Sequence, residues 1–98
     1  MSESAIDAQC RAETVLRGGV LMRLRPPPMG VCDRLLMMPG GHVMFIEMKT
    51  PTGFVQPGQR LFMKDLTRMR VPWRVIRSFD EFVALLDWLE RHQLTEPA

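Results

Sequence analysis

The feature that most constrains this chain is a pair of apolar runs, residues 35–38 and 43–46, on either side of the tripeptide Pro39-Gly40-Gly41. Proline and glycine are typical of tight turns, so the two runs predict a β-hairpin. If the tripeptide forms a three-residue loop with Gly41 in a left-handed conformation, Met38 pairs with His42. This pairing sets the register of the whole hairpin.

Charged side chains lie at the open end of this predicted hairpin. In the same register Asp33 lies opposite Glu47, and Lys49 points to the same side as Glu47 because strand side chains alternate. An acid-x-Lys sequence alone is more often a surface ion pair. Two carboxylates at the rim of a buried sheet, however, repel each other unless a cation lies between them. The arrangement therefore predicts a site for a divalent metal and a phosphodiester.

The rest of the chain predicts one α/β domain, residues 1–98, with the element order αβββαβα. The predicted helices and outer strands are 4–17, 19–25, 57–70, 73–77 and 79–92. Ser4 is expected to cap the first helix, and Pro57 suits the first turn of the second. The strand–helix–strand step at the end favours a mixed sheet of about four strands with helices on both faces. Because both faces of the hairpin are apolar, both should be covered, by helices or by another subunit.

Composition limits the functions that are possible. The 98 residues are 46% hydrophobic and carry a net charge of only +2, which is too small to argue for nucleic acid. Basic residues crowd between positions 60 and 77, where they form either a solvated helix face or a phosphate-binding patch. The two cysteines lack metal-type spacing. Without a signal peptide or an apolar run near eighteen residues, the chain is expected to be cytoplasmic, with no membrane contact.

The spaced pattern resembles the VRR-NUC family of the PD-(D/E)xK nuclease superfamily. The resemblance covers about residues 13–88, and the matching positions are Glu13, 30–34, 39–41, 45–49, Pro51, Gly53 and Gln59. Three positions depart from the family pattern. Cys32 stands where a proline commonly precedes the first acid, and Arg23 stands where a lysine is often found. His42 follows the glycines where a basic residue is usual, and it is expected to be a turn residue and not a ligand.

The resemblance implies a restriction-endonuclease-like core and a Mg²⁺- or Mn²⁺-dependent endodeoxyribonuclease. The implied catalytic residues are Asp33, Glu47, Lys49 and Gln59. The implied metal ligands are Glu13, Asp33, Glu47 and the backbone carbonyl of Met48. The implied DNA-binding residues are Arg23, Arg25, Arg34, Arg60 and Lys64. Hard divalent cations prefer such oxygen ligands.

A small domain of this kind resembles the virus-type members of the family, which are homodimers that act on branched DNA. The expected function is a homodimeric Holliday-junction resolvase that binds four-way junctions, in the cytoplasm of a bacterial host if a phage or prophage encodes it. One alternative is a nuclease for flaps or single strands. Another is a DNA-binding module that has lost catalysis, and a third is a structural protein whose acids form a surface ion pair.

Overall fold

The computed structural model describes residues 2–24 and 32–95, which form seven elements in the predicted order. These are α1 (Glu3–Leu16), β1 (Val20–Arg23), β2 (Arg34–Met38), β3 (His42–Met48), α2 (Pro57–Arg68), β4 (Trp73–Ile76) and α3 (Phe79–Arg91). The predicted α/β class is confirmed.

The four strands form one mixed sheet in the order β1-β2-β3-β4. The first three strands are antiparallel, and β4 lies parallel to β3 after the crossover through α2. Met38 pairs with His42, as the three-residue loop predicts. Gly40 and Gly41 have φ angles of 94° and 89°, a conformation that favours glycine. The turn therefore determines which side chains share a face down to the open end of the hairpin.

One face of the sheet packs against α1 and α3. Leu36 and Ile46 are fully buried there, and the same cluster contains Phe82 and Leu86 of α3 and Ile6 of α1. Burial of this apolar area is the main stabilising contribution to the fold.

The opposite face is only partly covered within this chain, whereas the expectation was that helices or another subunit would cover both faces. Phe45 packs edge-on against Phe62 of α2, with ring centroids 5.4 Å apart. Farther from α2, Val43 is 50% exposed, and Val20 and Met22 of β1 are nearly as exposed. The helix α2 packs near β4 and Phe45, so apolar side chains of β1 and β3 stay partly exposed on this face.

Two helix ends differ from their predicted positions. Ser2 caps α1, because its Oγ accepts the Ala5 N–H at 3.2 Å, and the predicted cap Ser4 lies inside the helix. The helix α2 ends at Arg68 because Arg70 has a left-handed backbone with φ of 61°. No helix in the ranges 2–24 and 32–95 is long and apolar enough to cross a membrane.

Candidate active site

Glu47 and Lys49 lie at the end of β3 on the face that α2 partly covers. The strand alternation points both side chains to the same side as Phe45. Glu47 is 2% exposed, and its Oε2 lies 3.9 Å from Lys49 Nζ. A carboxylate in this position has lost most of its contact with water, so its charge depends on the groups beside it.

Asp33 precedes β2 directly and lies opposite Glu47. The last residue pair of the β2–β3 ladder is Arg34 with Ile46, so the next step along both strands brings Asp33 opposite Glu47. The Asp33 side chain is 16% exposed, and within residues 2–24 and 32–95 its buried Oδ1 has no hydrogen-bond partner. A buried carboxylate oxygen without a donor is costly, and it is available to a cation.

The electrostatics of the pair show the effect of this crowding. Burial first, and then the nearby charge of Asp33, raise the pKa of Glu47 to about 7, while Lys49 acts in the opposite direction. Glu3, in the first turn of α1, also raises this pKa. The negative charge of Asp33 and Glu47 is therefore not fully compensated by Lys49 and Arg34. An uncompensated negative charge favours the binding of an added cation.

Gln59 contacts the same carboxylate from α2. Its Nε2 donates to Glu47 Oε1 at 2.7 Å, and its Oε1 accepts the backbone N–H of Gln56 at 3.1 Å. The amide is therefore held at both ends by the start of the helix. This leaves Glu47 Oε2 as the carboxylate oxygen that faces Lys49.

The carbonyl of Met48 points towards β2. The N–H of Lys49 donates to Ile76 O of β4 at 3.0 Å, and a trans peptide directs its carbonyl away from its N–H. The Met48 oxygen is therefore directed to the side of β3 on which Asp33 lies.

Glu13 is not brought to this site, which corrects its assignment as a metal ligand. Its carboxylate accepts from Arg17 Nε at 2.8 Å, and Arg17 also contacts Asp87 of α3 at 2.7 Å. The acid of α1 that influences Glu47 is Glu3, which lies ten residues earlier in the same helix. The sequence carries a signal for this difference, because an i, i+4 pair such as Glu13 and Arg17 is typical of a helix-surface ion pair.

Arg34 is also placed differently from its predicted role in DNA binding. Arg34 is 2% exposed, and its guanidinium forms ion pairs with Asp7 of α1 and with Asp33. A side chain without solvent contact cannot bind a DNA phosphate. Three of the other predicted DNA-binding side chains are exposed: Arg23, Arg60 and Lys64. The fourth, Arg25, lies outside the described residues.

The donor set fits a hard divalent cation. Within residues 2–24 and 32–95 no three His, Cys, Asp or Glu side chains are grouped closely enough to hold a metal by themselves. Mg²⁺, however, commonly binds through one or two carboxylates and keeps several waters. Asp33, with its unpartnered Oδ1, Glu47 and the Met48 carbonyl match that pattern.

Similarity to known proteins is found in the structure and not in the sequence. No family model matches the chain, and no curated protein matches it. A solved structure described as a VRR_NUC domain superposes with a TM-score of 0.78 over 89% of this chain and 96% of that chain, at 20% sequence identity. The resemblance predicted from the motifs is thereby confirmed for the architecture, and this chain has the fold of a VRR_NUC domain.

Proposed function

We propose that this chain is a divalent-metal-dependent endodeoxyribonuclease of the VRR-NUC family that hydrolyses phosphodiester bonds. The observation that carries the proposal is the pairing of Asp33 with Glu47, whose pKa is raised to about 7. The buried Oδ1 of Asp33 has no hydrogen-bond partner in the part of the chain that the structure describes. Folding alone does not require this pair, because in the absence of a cation the Glu47 charge is both desolvated and repelled by Asp33.

Each residue has a chemical role in this proposal. Asp33, Glu47 and the Met48 carbonyl would hold Mg²⁺ or Mn²⁺, and a bound cation supplies charge neutralisation at the phosphate and a more acidic water. Lys49 would orient the attacking water or stabilise the charge that develops on the phosphate. Gln59 would keep Glu47 in its orientation through the 2.7 Å hydrogen bond. Glu3 takes the place of Glu13 as the α1 acid beside the site.

The DNA would approach along α2. Arg60 follows Gln59 in the first turn, and Lys64 lies one turn farther along the same exposed side. Arg70, just after the end of α2, is exposed as well and adds to this positive surface. Contacts of this kind bind phosphates without reading bases, so affinity should fall steeply with salt.

The proposed substrate is branched DNA, and in particular the four-way junction. A two-fold symmetric junction is cut symmetrically by two sites related by a two-fold axis, which a homodimer provides. The half-exposed apolar residues Val20, Met22 and Val43 form the surface that a second copy would cover.

The test is cleavage of end-labelled four-way, flap, single-stranded and linear duplex DNA, with and without Mn²⁺. We expect Mn²⁺-dependent cleavage of the junction in preference to the linear duplex, and its loss in Glu47→Ala and Lys49→Ala. Preferential cleavage of flaps or single strands would replace the junction by that substrate. Cleavage that persists in both variants would overturn the nuclease assignment, whereas DNA binding without cleavage by the wild type would indicate a non-catalytic module.

A further inference from the structure

Arg34 bridges two carboxylates beneath the candidate site. Its side chain is 3% exposed, its Nε donates to Asp7 Oδ1 at 2.8 Å, and its Nη1 lies 2.5 Å from Asp33 Oδ2. The bridge therefore connects α1 to the residue that precedes β2. Asp7 is itself 6% exposed, so most of this connection is shielded from water.

A buried guanidinium is expensive unless carboxylates compensate its charge. Arginine is suited to this position because its planar fork presents several donors in fixed directions, so that one side chain can contact two acids. Lysine, with one compact ammonium, cannot reproduce that geometry. A buried ion pair is weak evidence of a gain in stability, because the cost of desolvating both charges offsets their attraction.

The bridge engages only one oxygen of Asp33. Arg34 Nη1 lies against Oδ2 as a close ion pair that lacks the alignment of a hydrogen bond, while Oδ1 is buried and has no hydrogen-bond partner among the described residues. The carboxylate is thus oriented by one oxygen and leaves the other for a ligand. Residues that orient a metal ligand in this way commonly contribute to affinity without touching the metal.

We propose that Arg34, anchored by Asp7, is a positioning residue that orients Asp33 so that its Oδ1 is presented to the divalent cation. The inference rests on the proposed function, since it requires a cation at Asp33 and Glu47. It assigns two residues that lie outside the predicted catalytic set, and it explains why Arg34 is buried instead of facing DNA.

The experiment measures Mn²⁺ binding by isothermal titration calorimetry for the wild type and two variants. Arg34→Lys keeps the charge and removes the fork. Asp7→Asn keeps the shape of the anchor and removes its charge. Both should weaken Mn²⁺ binding about 10-fold or more, as outer-shell substitutions typically do. If Arg34→Lys fails to fold, Asp7→Asn provides the same test.

Arg11→Lys is the matched control. Arg11 pairs with the other oxygen of the same acid, Asp7 Oδ2, at 2.9 Å, but its side chain is 60% exposed and it has no contact with Asp33. The substitution is the same as in Arg34→Lys, and we expect the Mn²⁺ affinity to stay within about twofold of the wild type, since an exposed pair contributes little.

The calorimetric parameters separate positioning from a merely structural role. Loss of folded protein lowers the binding stoichiometry without changing the dissociation constant of the folded fraction. A weaker dissociation constant at unchanged stoichiometry, together with cleavage that recovers at high Mn²⁺, supports positioning. Reduced stoichiometry with an unchanged dissociation constant, or tighter binding in either variant, overturns it.

The proposed function can fail separately. If the wild type and Glu47→Gln show the same Mn²⁺ titration, the cation site itself is disproved, and the role of Arg34 falls with it. If Glu47→Gln abolishes binding while Arg34→Lys and Asp7→Asn bind as the wild type does, only the inference about Arg34 is wrong.

Discussion

Glu47 is the residue of the candidate site whose pKa is raised, to about 7. It is buried, faces a second acid, and is hydrogen-bonded to Gln59 on one oxygen only. The sequence predicts its position because the Pro39–Gly41 turn sets the register. It does not predict the neighbour from α1, because strand alternation contains no information about how a distant helix packs. The choice between Glu3 and Glu13 therefore needed tertiary structure.

The raised pKa of Glu47 should make the stability of the metal-free chain depend on pH. Its ordinary value of 4.5 rises to about 7 in the fold, so between these values the folded chain holds a proton that the unfolded chain has lost. Stability should then fall as pH rises through this window, by on the order of 3 kcal/mol from this group.

Thermal unfolding without metal, at pH values of about 5 and about 7.5, measures this effect. Glu47→Gln cannot ionise, and its unfolding midpoint should change less between the two conditions. A variant whose midpoint shifts as much as that of the wild type would show that Glu47 does not have the raised pKa.

The two acids of α1 should differ in their effect on cleavage. Glu3→Gln removes a carboxylate whose charge reaches Glu47, and we expect cleavage in limiting Mn²⁺ to fall about tenfold. Glu13→Gln removes only a pair with Arg17 and should leave the rate within about twofold. Equal rates for Glu3→Gln and the wild type, with a loss in Glu13→Gln, would restore the original assignment of Glu13.

At the scale of elements, local rules predict the hairpin and the order of helices and strands well. They are less informative at helix ends, where tertiary contacts compete with capping preferences. Ser2 and Ser4 are both suitable caps in sequence terms, and the helix starts at the earlier one, whose Oγ accepts the Ala5 N–H. Asp7 lies inside the helix, where it pairs with Arg34.

The end of α2 provides a test of backbone strain. Arg70 N–H donates to Thr67 O and Val71 N–H donates to Leu66 O, a helix end that usually has glycine at the position of Arg70. Because Arg70 has a φ of 61°, Arg70→Gly should stabilise the fold by about 1 kcal/mol.

Arg70→Ala is the control for this prediction, since it removes the same charge but keeps a side chain at the left-handed position. Urea unfolding compares the two variants. A glycine variant no more stable than the alanine variant would show that the strain is absent. Both variants should bind DNA more weakly than the wild type, because each loses one charge from the positive surface.

For the molecule as a whole, the partly covered sheet face is the main feature that the sequence did not resolve. Both hairpin faces are apolar in sequence, and only the packing shows that α1 and α3 cover one face and α2 a part of the other. The remaining exposed residues of β1 and β3 are the basis for the proposed dimer.

A charge placed on that face should separate the dimer. Val43 is 50% exposed, so Val43→Lys should be accommodated by the monomer fold but should disfavour burial against a second copy. Light scattering should then give the mass of a monomer for this variant and of a dimer for the wild type. Leu16→Lys, at the 80% exposed end of α1, should remain dimeric. A monomeric wild type would exclude the proposed dimer.

The central claim is that Asp33 and Glu47 act together on one cation. The most direct measurement is the single-turnover cleavage rate in Mn²⁺ for Asp33→Asn, Glu47→Gln and the double variant, each checked for folding by circular dichroism. Each single substitution should slow cleavage by at least about 100-fold. The double variant should be no slower than the slower single variant, because the effects of residues that act as one unit are not additive. Single variants that cleave within a few-fold of the wild-type rate would show that Asp33 and Glu47 do not act together on a catalytic cation.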